Sequence, residues 1–273
     1  TAAPFVDILE GTAVTPEMLE ATVMEALGIE AYPVTTQTYP RLQDYTLLAG
    51  LAGLAATMHK FAFDLRLMQS PGIGQAAEPF GEQQVGSSAM PFKRNPVKAE
   101  RICSRARLLV SAATVAWENA ASSLLERTLD DSANRRVVIP EAFLACDEIL
   151  LAAIDVVEGL EVDQSAAAEW MMRHAPFAAL ERVLNALVRA GADRQAMHAR
   201  LREHSLAALE AIGGGSPNPL ADRLASDTSL LRYLQPARIR GLLEAESYLG
   251  LAPARAHEMA SLIGDRFQPE GPA

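Results

Sequence analysis

Aromatic residues are scarce in this 273-residue chain: Phe, Trp and Tyr together make up 5% of it. Their shortage, beside abundant Ala and Leu, disfavours sheet and favours helix. Positive charge is also in deficit. Lys and Arg number 24 against 34 Asp and Glu, giving a net charge of -10 and a pI near 5.0. That balance argues against a general nucleic-acid or membrane-surface role. Only two cysteines occur, Cys103 and Cys146, without zinc-type spacing. Buried free thiols in a reducing compartment are expected, with no disulfide framework and no metal site. No signal peptide is visible, and no apolar run approaches the roughly 20 residues a membrane span needs. The first residue is Thr1, and the opening reads as the middle of a longer chain, so a fragment is expected. What the sequence does have is 49% hydrophobic residues, enough to bury a substantial core in one large domain or two smaller ones.

Punctuation along the chain sets out the helices. Thr15 as a cap, Pro16 at the first helical position and Gly28 as a stop predict a short helix near the start. Residues 31–40 carry two prolines and three threonines and read as an extended crossing, with Gln37 near its end. Over 41–69, Leu47, Leu51, Leu54, Met58, Phe61, Leu65 and Met68 step by four and three, a heptad seam. Gly50, Ala52, Gly53, Ala55 and Ala56 keep other faces small, so neighbours can approach closely. His59 is expected to be a packing or hydrogen-bonding histidine. Residues 70–95 form a long break with a functional cast. A helix over 96–125 follows, with Ile102, Ala106, Leu109, Ala113 and Ala116 as its seam. The polar stretch 126–136 reads as an inter-helix loop whose arginines and Ser132 would make a phosphate cradle. Pro140 is expected to start the next helix, with Phe143, Cys146, Leu150, Ala153, Val157 and Leu160 inward. Three long seams in succession predict an all-α, elongated long-helix bundle over 1–172, and off-seam apolar residues predict contacts with other subunits. Residues 173–273 read as a small C-terminal helical domain with a helix pair broken at 191–193. His198, His204 and His257 are expected to be exposed, and the tail from Gln268 to be disordered.

The chain is organised around residues 86–96, GSSAMPFKRNP. A Gly-Ser-Ser opens it and Asn95-Pro96 closes it, with Asn95 expected as helix N-cap and Pro96 at the first helical position. Lys98, Arg101 and Arg105, at i, i+3 and i+7, share one helix face, and Glu100 is the only acid between Lys93 and Arg107. Cations beside a helix N-terminus with free N–H groups predict a site for a small polyanion, one able to stabilise charge that develops during a reaction.

This stretch matches at every fixed position the pattern G-S-S-x-M-P-x-K-x-N-P of the fumarase/aspartase superfamily. Together with QTYPR at 37–41, LERTLDDSANRR at 125–136 and ADRQAMHARLREHS at 192–205, it makes the chain resemble the adenylosuccinate lyase family. The resemblance implies β-elimination of fumarate, a homotetramer with active sites shared between subunits, a small nucleotide substrate, no cofactor, and a cytoplasmic enzyme of purine biosynthesis. It implies Ser87 as general base, Lys93 and Asn95 on the succinyl carboxylates, and Glu100 orienting a catalytic histidine. Gln37, Ser88, Met90, Arg101, Arg127, Ser132 and Arg136 would contact substrate and its phosphate. Phe92 departs from the His of many relatives, and Thr36 from the Gly that often precedes the Gln. None of the five histidines matches the family's catalytic ones, so the chain is expected to lack the general acid. Two alternatives stay open on the residues: another superfamily lyase, such as argininosuccinate lyase or a carboxymuconate cycloisomerase, or a non-catalytic helical module.

Overall fold

The computed structural model describes residues 3–81, 90, 92–244 and 248–267. It divides the chain into two compact units, Thr1–Val162 and Asp163–Ala273, a division earlier than the expected 172/173. The break falls where Asp163 caps a new helix with its carboxylate, accepting from the Ala166 N–H at 2.9 Å.

The first unit begins with α1 (Ala3–Ile8) and α2 (Pro16–Leu27), neither of which buries a residue. Thr15 caps α2 and Gly28 ends it in the left-handed conformation, φ 66°, as their residue types predict. The bundle proper is α3 (Leu42–Met68), α4 (Val97–Ala121) and α5 (Asp131–Glu158). They run up, down and up, so α3 and α5 start at one end and α4 starts at the other. Between α3 and α4, inside the long break, the short strand β1 (Ala76–Ala77) pairs antiparallel with β2 (Glu161–Val162).

Small residues set the helix spacing. Ala55 and Ala62 of α3 meet Ala99, Cys103 and Ala106 of α4 in one core, with Ile102, Leu109, Ile149 and Val156 filling it. Each fully buried Leu or Ile of this kind contributes on the order of 2 kcal/mol. The α4 seam is the one the spacing predicts. On α3 the buried line is Leu48, Ala55, Ala62 and Leu65, while Leu47, Leu54 and Met68 point outward. On α5 it is Ala142, Ala145, Cys146, Ile149, Ala153 and Val156, and Phe143 and Val157 stay exposed. Both helices carry more apolar residues than one seam needs, so heptad spacing alone does not select the inward line. By length and composition alone α3 would also suffice to cross a membrane, but it packs here as a bundle helix. Both cysteines are free and buried.

The second unit comprises α6 (Gln164–Ala178), α7 (Leu180–Arg189), α8 (Arg194–Gly213), α9 (Leu220–Ala225), α10 (Pro236–Leu243) and α11 (Ala252–Arg266). Val183, Leu187, Leu201, Leu220, Leu224, Leu230 and Ile239 make its core. His198 and His257 are exposed as expected, whereas His204 is only 7% exposed. Its Nε2 lies 2.6 Å from Asp227 Oδ2, which also takes Arg200 Nε at 2.5 Å, while Ser229 donates twice to Asp227 Oδ1. Burial alone would raise the Asp227 pKa. The hydrogen bonds from Ser229, His204 and Arg200 outweigh it and hold the carboxyl well below the usual range. The tail from Gln268 lies outside the described residues.

Candidate active site

One end of the bundle gathers the starts of α3 and α5 and the crossing that precedes α3. Here Arg41 Nε donates to Asp131 Oδ2 at 2.7 Å, and Arg135 Nε donates to Asp44 Oδ2 at 2.6 Å. The Tyr39 hydroxyl donates to Asp44 Oδ1 at 2.7 Å and accepts from Arg135 Nη2. Both guanidinium groups lie over the Tyr39 ring, at 4.7 and 5.6 Å from its centre. Asp131 is 2% exposed and Asp44 8%, so two buried carboxylates are matched by two arginines. Desolvation works against the charged Arg135, but its bond to Asp44 prevails and raises its pKa. Burial, then the Asp44 carboxylate, pushes the Tyr39 phenol upward.

The candidate contacts at this end sit beside that network. Ser132 and Arg136 follow Asp131 and Arg135 in sequence, on the first turns of α5. The second half of the stretch 126–136, from Asp131 on, is therefore helix rather than loop, and Pro140 lies inside α5 instead of starting it. Its ring removes one rung of the ladder, the one to the Arg136 carbonyl. Ser132 is half-buried; Arg127 and Arg136 are exposed and have no ion pair among the described residues. Gln37 is exposed and lines a cavity of about 800 Å³ together with Tyr32, Thr36 and Glu126. Just before Arg127 the chain turns at Leu125, which holds φ 44° while 98% exposed. A left-handed Leu costs about 1–2 kcal/mol. Reciprocal amide bonds between Asn119 and Asn134, at 2.7 and 2.9 Å, join the end of α4 to this end.

At the opposite end the long break returns to the bundle. Glu78, 1% exposed, accepts the Lys98 N–H at 3.0 Å and the Ala99 N–H at 2.9 Å. Its own N–H donates to Gln69 Oε1 at 3.1 Å, and Gln69 Nε2 donates to the Arg94 carbonyl at 3.3 Å. Pro79 packs so tightly on Gly159 that an added Cβ there would come within 2.6 Å of it. Two expectations change. The cap of α4 is Pro96, with Val97 first in the helix and Asn95 one position earlier. The helix N-terminus does not offer free amides to a ligand, because a carboxylate of this chain already fills it. Two of the three cations on the α4 face are likewise paired: Lys98 with Asp155 at 2.5 Å and Arg105 with Glu148 at 2.6 Å. Lys93 and Arg101 remain exposed, without an ion pair among the described residues, and Glu100 lies 3.8 Å from Arg66. Asn95 is half-buried, and Met90 is exposed, its carbonyl accepting the Lys93 N–H at 3.0 Å. Ser87 and Ser88 lie outside the described residues.

The candidate residues thus fall into two groups. Gln37, Arg127, Ser132 and Arg136 share one end; Met90, Lys93, Asn95, Glu100 and Arg101 share the other. The 25 residues of α4 span about 37 Å between them. Sequence reasoning missed the roles of Tyr39, Arg41, Asp44, Asp131 and Arg135 at one end and of Gln69 and Glu78 at the other. An aspartate next to a serine, or one arginine of an adjacent pair, carries no mark of which will turn inward.

Comparison with known proteins agrees with both halves of the chain. A lyase family model matches residues 9–109, and one for the adenylosuccinate lyase C-terminus matches 176–259. The adenylosuccinate lyase of Saccharomyces cerevisiae is 38% identical over 98% of this chain and 56% of its own length. That of Schizosaccharomyces pombe is 36% identical over 96% and 54%, and that of Schistosoma mansoni 41% over 83% and 48%. The chain therefore spans about half the length of the curated relatives it matches. Among solved structures, a fumarate lyase from Mesorhizobium sp. BNC1 superposes with a TM-score of 0.74 at 21% identity, over 89% of this chain and 52% of that one. The 3-carboxy-cis,cis-muconate lactonizing enzyme from Pseudomonas putida gives 0.71 at 22%, over 90% and 53%. These two share the long-helix bundle fold. Sequence relatives along nearly the whole chain and family matches in both of its units lead to one conclusion: the chain belongs to the adenylosuccinate lyase family.

Proposed function

We propose that this chain supplies the base-bearing and phosphate-binding parts of an adenylosuccinate lyase of purine biosynthesis. The reaction removes fumarate from adenylosuccinate to leave AMP, and from the imidazole ribotide SAICAR to leave AICAR. Ser87 takes the proton next to a succinyl carboxylate. The electron pair left on carbon forms the double bond of fumarate as the carbon–nitrogen bond breaks, and the leaving nitrogen receives a proton from an acid. Lys93 and Asn95 hold the carboxylates, where negative charge builds as the proton leaves. Glu100 orients a catalytic histidine, and Ser88, Met90 and Arg101 line the succinyl side. Arg127, Ser132 and Arg136 bind the phosphate, with Gln37 a further contact.

One observation carries this reading: the succinyl-side and phosphate-side residues stand at opposite ends of α4, about 37 Å apart by helix rise, too far for one nucleotide to bridge. A single site therefore needs one end from one copy and the other end from another, which fits a homotetramer with shared sites. The exposed apolar residues of the bundle, among them Leu54, Phe63, Trp117, Leu144 and Leu151, supply surface for such contacts. The test is AMP-dependent stabilisation of the assembled chain. AMP raises the melting temperature, Arg127→Ala or Arg136→Ala removes the rise, and argininosuccinate produces none. The chain alone releases negligible fumarate, because none of its histidines matches the family's acid. A rise that survives both arginine substitutions, or rapid fumarate release, contradicts the reading.

A further inference from the structure

We infer that Asp131, acting through Arg41 and Arg135, is the positioning residue that sets the phosphate-binding arginine and serine of α5. The inference rests on the function proposed above. Asp131 and Arg135 are i and i+4 on the first turns of α5, and both turn inward, 3.9 Å apart. Ser132 and Arg136 are also i and i+4, one residue further on. Locking the first pair fixes the rotation of the helix, and so fixes the face that the second pair presents, about 100° round.

The lock reaches beyond the helix. Arg41 ties Asp131 to the crossing, and Tyr39, hydrogen-bonded to Asp44 and Arg135, lies two residues from Gln37. The crossing and the start of α5 are therefore held as one body. The arrangement also sorts the cations: two guanidinium groups are consumed by Asp44 and Asp131, and Arg136 is left with no ion pair among the described residues. A buried ion network is not an economical way to gain stability, since well-packed apolar residues do as well. Asp131 Oδ1 is buried and has no hydrogen-bond partner among the described residues. Stability alone gives no reason for a carboxylate in that position; orienting two arginines does.

The experiment compares AMP with adenosine by calorimetric titration of the assembled protein. Asp131→Asn keeps the shape of the side chain and removes its charge. We expect AMP to bind about tenfold more weakly, the loss of one well-placed charged contact, and adenosine to change less than twofold. Tyr39→Phe, a milder change that removes only a hydroxyl, shows the same phosphate-specific loss at about threefold. Arg135→Lys keeps the charge without the fork and falls between them. Equal weakening of AMP and adenosine means the network only holds the fold and overturns the inference, as does unchanged AMP affinity in Asp131→Asn or, should that variant not fold, in Tyr39→Phe. If the unaltered protein does not prefer AMP to adenosine, the proposed function itself fails, a result distinct from the other two.

Discussion

The two ends of the α3–α5 bundle both carry the charged residues of a family motif, and they use them differently. At the end where α3 and α5 start, two arginines are drawn inward onto Asp44 and Asp131, while Ser132 stays half-buried and Arg136 exposed beside them. At the end where α4 starts, a carboxylate is drawn in instead: Glu78 fills the helix N-terminus and leaves Lys93 and Arg101 outside. The first end holds its backbone by ion pairs between side chains, the second by side-chain bonds to main-chain amides. In each case the buried group lies close in sequence or space to the groups proposed to meet the ligand. At each end a buried polar layer thus lies beneath the exposed groups proposed above to meet the ligand.

That contrast can be broken by substitution. The largest effect is expected for Asp44→Ala, which leaves the half-buried Arg135 against Tyr39 with only the more distant Asp131 carboxylate, 3.9 Å away. A loss of about 3 kcal/mol in urea-melt stability follows, and a loss under 1 kcal/mol would deny that this end is ionically locked. Glu78→Ala uncaps two amides of α4 and should cost about 2 kcal/mol, with the loss concentrated in faster hydrogen exchange at Lys98 and Ala99. Equal protection in the variant would show the cap to be idle. Tyr39→Phe comes next, at about 1 kcal/mol. It also has a pH signature. The Tyr39 pKa is raised in the folded state, so its contribution is whole below the unfolded value near 10 and is lost as pH rises through the folded value. The alkaline limb of stability above pH 10 should therefore flatten in Tyr39→Phe, while Glu78→Ala leaves it unchanged. Smallest is Arg105→Ala. Its pair with Glu148 is half exposed, and a change of no more than about 0.5 kcal/mol is expected.

Much of the fold was legible because its punctuation is local. Thr15 and Gly28 bound α2, and Ile102, Ala106 and Leu109 mark the buried side of α4, because the residues around them from Lys98 to Arg107 are mostly polar. The inward lines of α3 and α5 were not legible. Leu47 and Leu48 are equally apolar, and only the neighbouring helix decides between them. Pro140 misled for a related reason: the cost of a proline in a helix is local, whereas the contacts that hold α5 together across it are not. The motif residues were visible by type, but their division between two ends was not. Spacing along a helix shows which side chains share a face; it does not show which acid elsewhere will claim them, as Asp155 claims Lys98 and Glu78 claims the amides behind Asn95. His204 was misjudged likewise, since its partner Asp227 lies 23 residues away.

The central claim is that a complete site takes one end from each of two copies. The most direct measurement mixes Arg136→Ala, damaged at one end, with Lys93→Ala, damaged at the other, and titrates the re-assembled oligomer with adenylosuccinate. Each variant alone should bind adenylosuccinate weakly, and the mixture should regain tight binding at about a quarter of its sites, the share that combines two intact ends. Mixed oligomers that regain no tight site would contradict the account.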